Sequence, residues 1–211
     1  VTLIFGEYVI RYLYVKRIRD IPREFSTIST ASKAGTPQMG GLLIILAIFI
    51  STVLWCDLLN RFAGMFFLAL IWFTVLGGID DYRVLKHQNS DRGLSQKTKL
   101  IWQGGYSLVF GLIFLTPDLS PVTSGIVTQL YIPFFKSPVL DLGWWYLPFI
   151  VFVIVAITNS VNFADGLDGL AIVPVSFAIA VYGIFAYVIG NAIYSDYLQF
   201  FFLPGSGELT V

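Results

Sequence analysis

Apolar residues along this chain come in long unbroken runs, with the polar residues gathered in the gaps between them. They neither alternate in twos nor recur on a single helical face. A bilayer core calls for roughly 20 apolar residues per helix, with a usable range of about 17–25. On that measure Met39–Cys56 (opened by Gly40 and Gly41), Phe62–Ile79, Leu100–Thr116, Trp144–Val161 and Leu170–Gly190 each predict a membrane-spanning helix. The stretch Val1–Val15 is short for a complete span and reads as the tail of a helix whose start is missing. A further span is expected to begin near Glu208. The fold class expected is an all-α polytopic membrane protein, a single membrane domain over residues 1–211 with about six transmembrane helices.

The connections between runs alternate in charge. Residues 11–33 hold Arg11, Lys16, Arg17, Arg19, Arg23 and Lys33, and residues 80–99 hold Arg83, Lys86, Arg92, Lys97 and Lys99. The intervening connections hold Arg61 or Lys136 alone, and residues 191–204 hold no basic residue. Basic loops stay on the cytoplasmic side, so these two are expected there. Counting spans then puts the short connection Asn162–Gly169 on the same side. Asp80, Asp81, Asp165 and Asp168 would all face one compartment. On the opposite side, Pro117–Leu142 carries four prolines and an alternating stretch, Ile126–Phe135, that predicts a small extracytoplasmic β-hairpin. Trp144, Trp145 and Tyr146 follow it as an interfacial aromatic anchor.

Composition agrees with this pattern and removes some functions. The chain is 56% hydrophobic and 12% charged, against about 25% charged in a soluble domain. Its formal net charge is zero, so no basic field points to nucleic acid. Cys56 is the single cysteine and lies in an apolar run, which excludes an internal disulfide and suggests a buried thiol.

Four polar strings could carry chemistry. GGIDDYRVLK ends an apolar run on Asp80 and Asp81, adjacent carboxylates that could share Mg²⁺ with phosphate oxygens, or supply a base or nucleophile. A solvated acidic pair beside Arg83 and Lys86 is the plainer alternative. TNSVNFADGLDGLA spaces Asn159, Asn162, Asp165 and Asp168 three apart, one polar stripe if helical, and such groups at membrane depth need partners or a cavity. Its plainer alternative is a helix break capped by Asp165 and Asp168. KAGTPQMGG and RGLSQKTK add Lys33, Lys97 and Lys99, cations for a phosphate or simply determinants of topology. His87 sits among polar loop residues, and no second histidine accompanies it. Metal, cations and a carboxylate on one membrane face are together what phosphoryl transfer requires.

GTPQMGG, GGIDDY, GLSQKTK and NSVNFADGLDGLA, in this order, resemble the bacterial phospho-N-acetylmuramoyl-pentapeptide transferase family, within the polyprenyl-phosphate N-acetylhexosamine-1-phosphate transferases. The outer stretch IPFFKSPVLDLGWWYLP and the terminal GELTV resemble the same branch, so the likeness runs through essentially the whole chain. It implies an enzyme of the bacterial inner membrane that is Mg²⁺-dependent. Phospho-MurNAc-pentapeptide would pass from UDP-MurNAc-pentapeptide to undecaprenyl phosphate at the cytoplasmic face, giving lipid I and UMP. Asp80, Asp81 and Asp165 would be catalytic, with Asp80 activating the lipid phosphate and Asp80 and Asp81 contributing to the metal site. Asn159, Asn162, Asp168 and Lys33 would line the substrate cleft, Asp168 and Lys33 nearest the uridine, and Lys97 and Lys99 would face phosphate. The family pattern also has about ten spans, a later Mg²⁺-binding Asp expected beyond residue 211, and a C-terminal histidine cluster. The 211 residues therefore read as a truncated chain, expected to be inactive alone. A homodimer is one assembly the sequence leaves open.

Three rivals remain, one of them a non-catalytic scaffold for cell-wall enzymes, which should keep its phenotype when Asp80 of the complete protein is replaced by alanine. A relative using UDP-N-acetylglucosamine would be told apart by donor competition. A transporter would place charges within its spans, whereas here, Glu7 and Arg11 apart, they sit at span ends.

Overall fold

The structure, a computed structural model, describes residues 6–8, 11–12, 40–87, 93–122, 125–132, 135, 137–165 and 170–210. Its helices are α1 (Gly41–Trp55), α2 (Arg61–His87), α3 (Gln96–Leu115), α4 (Tyr146–Ala164), α5 (Ile172–Gly190) and the short α6 (Ala192–Tyr197). A 3-10 turn at Gly143–Trp145 runs into α4, and another at Ser206–Thr210 follows α6.

Among the described residues, four helices are long and apolar enough to cross a membrane: α2, α3, α4 with its preceding 3-10 turn, and α5. Their outward side chains are apolar as well, with Phe152 70% and Phe177 71% exposed, a surface suited to lipid rather than water. Helix α1 has 15 residues, or ~22 Å, short of the ~30 Å hydrocarbon layer. Of the stretch expected as the first span, only residues 6–8 and 11–12 are described, and they are helical. Near Glu208, where another span was expected to start, the chain instead forms the 3-10 turn Ser206–Thr210. Ser206 Oγ donates to the Ala186 and Leu203 carbonyls, folding that segment back on α5.

The chain separates into two compact units, residues 1–54 with 69–99 and residues 55–68 with 100–211. Within the second, α3 and α4 lie side by side and antiparallel. Gly111 leaves the room that Leu147 fills, since a Cβ there would come 2.5 Å from Leu147 Cδ1, and Phe114 stacks on Tyr146 at 6.2 Å. Small residues let membrane helices approach in this way.

Connections predicted for the outer side meet at one end of this unit. Arg61 donates to the Ser120 carbonyl at 2.8 Å, Asn60 Nδ2 to the Gly205 carbonyl at 3.0 Å, and the Asp57 amide to Glu208 Oε2 at 2.8 Å. Burial, and then Glu208, push the Cys56 thiol up to about 11, in keeping with an inert buried sulfur. The predicted hairpin is present but displaced. Strand β1 (Gln129–Leu130) pairs antiparallel with β2 (Leu140–Asp141), Gln129 opposite Asp141 and Leu130 opposite Leu140. The alternating stretch supplies only β1, because Pro133 and Pro138 have no N–H for a ladder. The Gly143 amide and the Thr128 hydroxyl hold Asp141 below the usual carboxylate range, and Tyr131 packs on Phe201 at 5.1 Å.

Candidate active site

Helix α2 carries the acidic pair, but not at its end. Asn60 caps its start, Oδ1 accepting from the Phe62 amide at 2.8 Å, and the helix runs 27 residues to Lys86 and His87 in its last turn. No helix breaker follows Gly78, and cations in the final turn complement the helix dipole. At 1.5 Å per residue α2 is ~40 Å long, and Asp80 lies ~28 Å from its start, about one hydrocarbon thickness. The helix boundary expected at Ile79 is absent, and the acidic pair stands where the helix would leave the membrane, followed by two more turns.

Both oxygens of Asp80 are held. Lys99 Nζ donates to Oδ2 at 2.6 Å, and the Leu94 amide donates to Oδ1 at 2.6 Å. The Lys99 and Asp80 side chains are 30% and 24% exposed, which shields the pair in part from water. Ser95 starts α3 and so sets Lys99 in place, its Oγ accepting from the Thr98 amide at 3.2 Å, while the Lys99 amide donates to the Ser95 carbonyl at 3.0 Å. Gly93 makes the turn before it feasible, since a Cβ there would lie 2.7 Å from Asp80 Oδ1 and 3.4 Å from Val84 Cγ2. Asp81, the next residue along α2, is exposed by surface area, and it still feels both the Asp80 carboxylate and the Lys99 ammonium. Lys97 is exposed too, and its spacing of two from Lys99 puts it on another side of α3.

The described part of the polar stripe lies at the end of α4. Asn159 and Asn162 lie on α4, but α4 stops at Ala164 and Asp165 is its C-cap, with φ −79° and ψ 54°. The Asp165 amide still donates to the Val161 carbonyl at 3.1 Å, so Asp165 closes the last turn of α4. Asn162 and Asp165 are exposed. Asn159 is half-buried and donates through Nδ2 to the Val155 carbonyl and to Gln103 Oε1, both at 2.8 Å. Lys33 and Asp168 lie outside the described residues.

The oxygen donors of Asp80 and Asp81 are of the kind that Mg²⁺ takes. Among the described residues no group of three His, Cys, Asp or Glu comes together. One or two such carboxylates are the protein ligands that Mg²⁺ takes when it also binds substrate phosphates.

The family model described as glycosyl transferase family 4 matches residues 62–205. The chain belongs to this family. A signature described as phospho-N-acetylmuramoyl-pentapeptide-transferase signature 1 matches residues 33–45, beginning at Lys33. Relatives named phospho-N-acetylmuramoyl-pentapeptide-transferase include that of Citrifermentans bemidjiense, 41% identical over all of this chain and 57% of its own length. Those of Chlorobium phaeobacteroides and Caulobacter vibrioides are each 40% identical over all of this chain, with 56% and 58% of their own lengths covered. The chain thus spans little more than half the length of these relatives. Asp80, Asp81, Lys97, Lys99, Asn159, Asn162, Asp165 and Asp168 all fall within the glycosyl transferase family 4 match.

Two residues of this family 4 chain escaped the sequence reading. Gly93 gave no sign because a close approach depends on what lies opposite it. Gln103 did give one, as an amide four residues into the apolar run Leu100–Thr116, where an unpaired polar group is costly.

Proposed function

We propose that the protein is a transferase that moves phospho-MurNAc-pentapeptide from UDP-MurNAc-pentapeptide to undecaprenyl phosphate, giving lipid I and UMP in peptidoglycan synthesis. The reaction takes place at the cytoplasmic face of the inner membrane. The observation that carries this reading is the end-to-end similarity, at 40–41% identity, to transferases named for that donor group. Their names favour the muramoyl pentapeptide over UDP-N-acetylglucosamine as donor.

In this reading an oxygen of the lipid phosphate attacks the phosphorus next to the sugar. A new P–O bond forms, the bond to UMP breaks, and Asp80 takes any proton left on the acceptor phosphate. Lys99 keeps that carboxylate oriented and places a positive charge beside the incoming phosphates, whose mutual repulsion is the main barrier to their meeting. Asp80 and Asp81 would hold Mg²⁺, which would supply further neutralisation of the phosphate charge. Asp165 acts with them, and Lys33, Asn162, Asp168 and Lys97 contact the donor.

Asp80→Asn keeps the shape of the side chain but removes its charge and basicity. Transfer of radiolabelled donor to undecaprenyl phosphate is expected to fall by about 10²–10⁴-fold, the usual contribution of a general base. Because the 211 residues are expected to be inactive alone, both forms are assayed in the complete protein that carries this chain. Unimpaired transfer by the variant would remove Asp80 from this role, and absence of transfer by that complete protein would remove the proposed reaction.

A further inference from the structure

Gln103 belongs to none of the motifs, yet its side chain is 7% exposed and faces Asn159 across the α3–α4 contact. The hydrogen bonds there settle which atom is which. The Val155 carbonyl can only accept, so the Asn159 atom 2.8 Å from it is the amide nitrogen. The same nitrogen has one hydrogen left, and it lies 2.8 Å from Gln103, whose facing atom must then be the oxygen. One backbone carbonyl therefore orients both side-chain amides. With both Nδ2 hydrogens engaged, Asn159 has only Oδ1 to offer.

We infer that Gln103 is a positioning residue that, with the Val155 carbonyl, locks Asn159 so that Oδ1 alone meets the substrate, as an acceptor for an N–H or O–H donor of the nucleotide sugar. This rests on the proposed transferase reading and sharpens it. Phosphate oxygens of the substrates are acceptors and gain nothing from Oδ1, whereas sugar hydroxyls, the N-acetyl N–H and the uracil N–H are donors. Asn159 thereby selects the donor substrate, and its amide group takes no part in charge neutralisation. Replacing Gln103 by an apolar residue removes one of the two acceptors that hold Nδ2, so the Val155 carbonyl alone restrains Asn159 and one amide hydrogen is left to compete at the substrate.

The test compares membranes carrying the complete protein that contains this chain, taken as the parent, with its Gln103→Leu, Gln103→Glu and Gln103→Asn variants. Glu retains an oxygen at the position facing Asn159, Leu retains bulk without an acceptor, and Asn is one methylene too short to reach. Gln103→Leu and Gln103→Asn are expected to raise KM for UDP-MurNAc-pentapeptide by up to about tenfold, the worth of one hydrogen bond. KM for undecaprenyl phosphate should be unchanged, and Gln103→Glu should stay near the parent. In an Asn159→Ala background Gln103→Leu should add nothing, because the group it orients is gone. A merely structural role predicts lower thermal stability with both KM values unmoved, and that result overturns the inference, as do losses that add in the double variant. If Gln103→Leu does not accumulate, a parental donor KM in Gln103→Asn is equally fatal. An inactive parent protein would overturn the transferase reading, whereas an active parent with unaffected variants overturns only the role of Gln103.

Discussion

At the scale of single residues, Asp80 is defined by what holds it. A carboxylate near the end of a hydrocarbon span is costly unless paired, and Lys99 and the Leu94 amide each take one oxygen at 2.6 Å. The chain itself marks Asp80 and Lys99 as unusual, since both border apolar runs. It does not say that they pair across 19 residues, because that depends on how the loop between α2 and α3 returns. Gly93 is part of that return. In Gly93→Ala the new Cβ, 2.7 Å from Asp80 Oδ1, has to push the carboxylate off the Leu94 amide and away from Lys99. We expect transfer activity to drop about tenfold or more, consistent with the cost of a small displacement in a positioned group, while thermal stability changes little. Parental activity in Gly93→Ala would show that Asp80 works without this hold.

At the scale of elements, helix positions were legible and helix lengths less so. Every apolar run that predicted a complete span is a helix, because hydropathy and helical propensity agree there. The end of α2 was misjudged at Ile79: loss of hydropathy marks where a helix leaves lipid, not where it stops. Asn159 and Asn162 share α4 and Asp165 closes it, and three-residue spacing implies a common face only while the helix lasts. Close contacts between elements left weaker traces. A Cβ on Gly190, at the end of α5, would stand 2.6 Å from the Gly207 amide nitrogen and 3.0 Å from Ser206 Oγ. The first neighbour is backbone and has little freedom to yield. Gly190→Ala is therefore expected to cost about 1–3 kcal/mol, read as a lower unfolding temperature of the purified protein in detergent. An unchanged midpoint would mean that the 206–210 turn shifts freely.

At the scale of the whole molecule, the loop charges group connections by membrane face, and the contacts within residues 55–68 and 100–211 bring together those expected on the outer side. Arg61 with Ser120, and Asn60 with Gly205, join connections that the span count had grouped together. Cysteines introduced singly at Asp81 and Asn162, in a background lacking Cys56, should accordingly react with an impermeant maleimide only after the inner face is exposed. A cysteine at Trp144 should react from outside. Opposite accessibility for positions 81 and 162 would break the shared-face premise on which the proposed reaction depends.

By itself the sequence determined the membrane class, the order of the spans and the residues whose polarity is out of place, because each of these follows from transfer energies that act locally along the chain. Only the tertiary structure decided the partners: Lys99 for Asp80, Gln103 for Asn159, Glu208 for the Asp57 amide. A buried polar group states that it needs a hydrogen bond, but which of many groups supplies it depends on contacts between residues distant in sequence, and those exist only once the helices have packed.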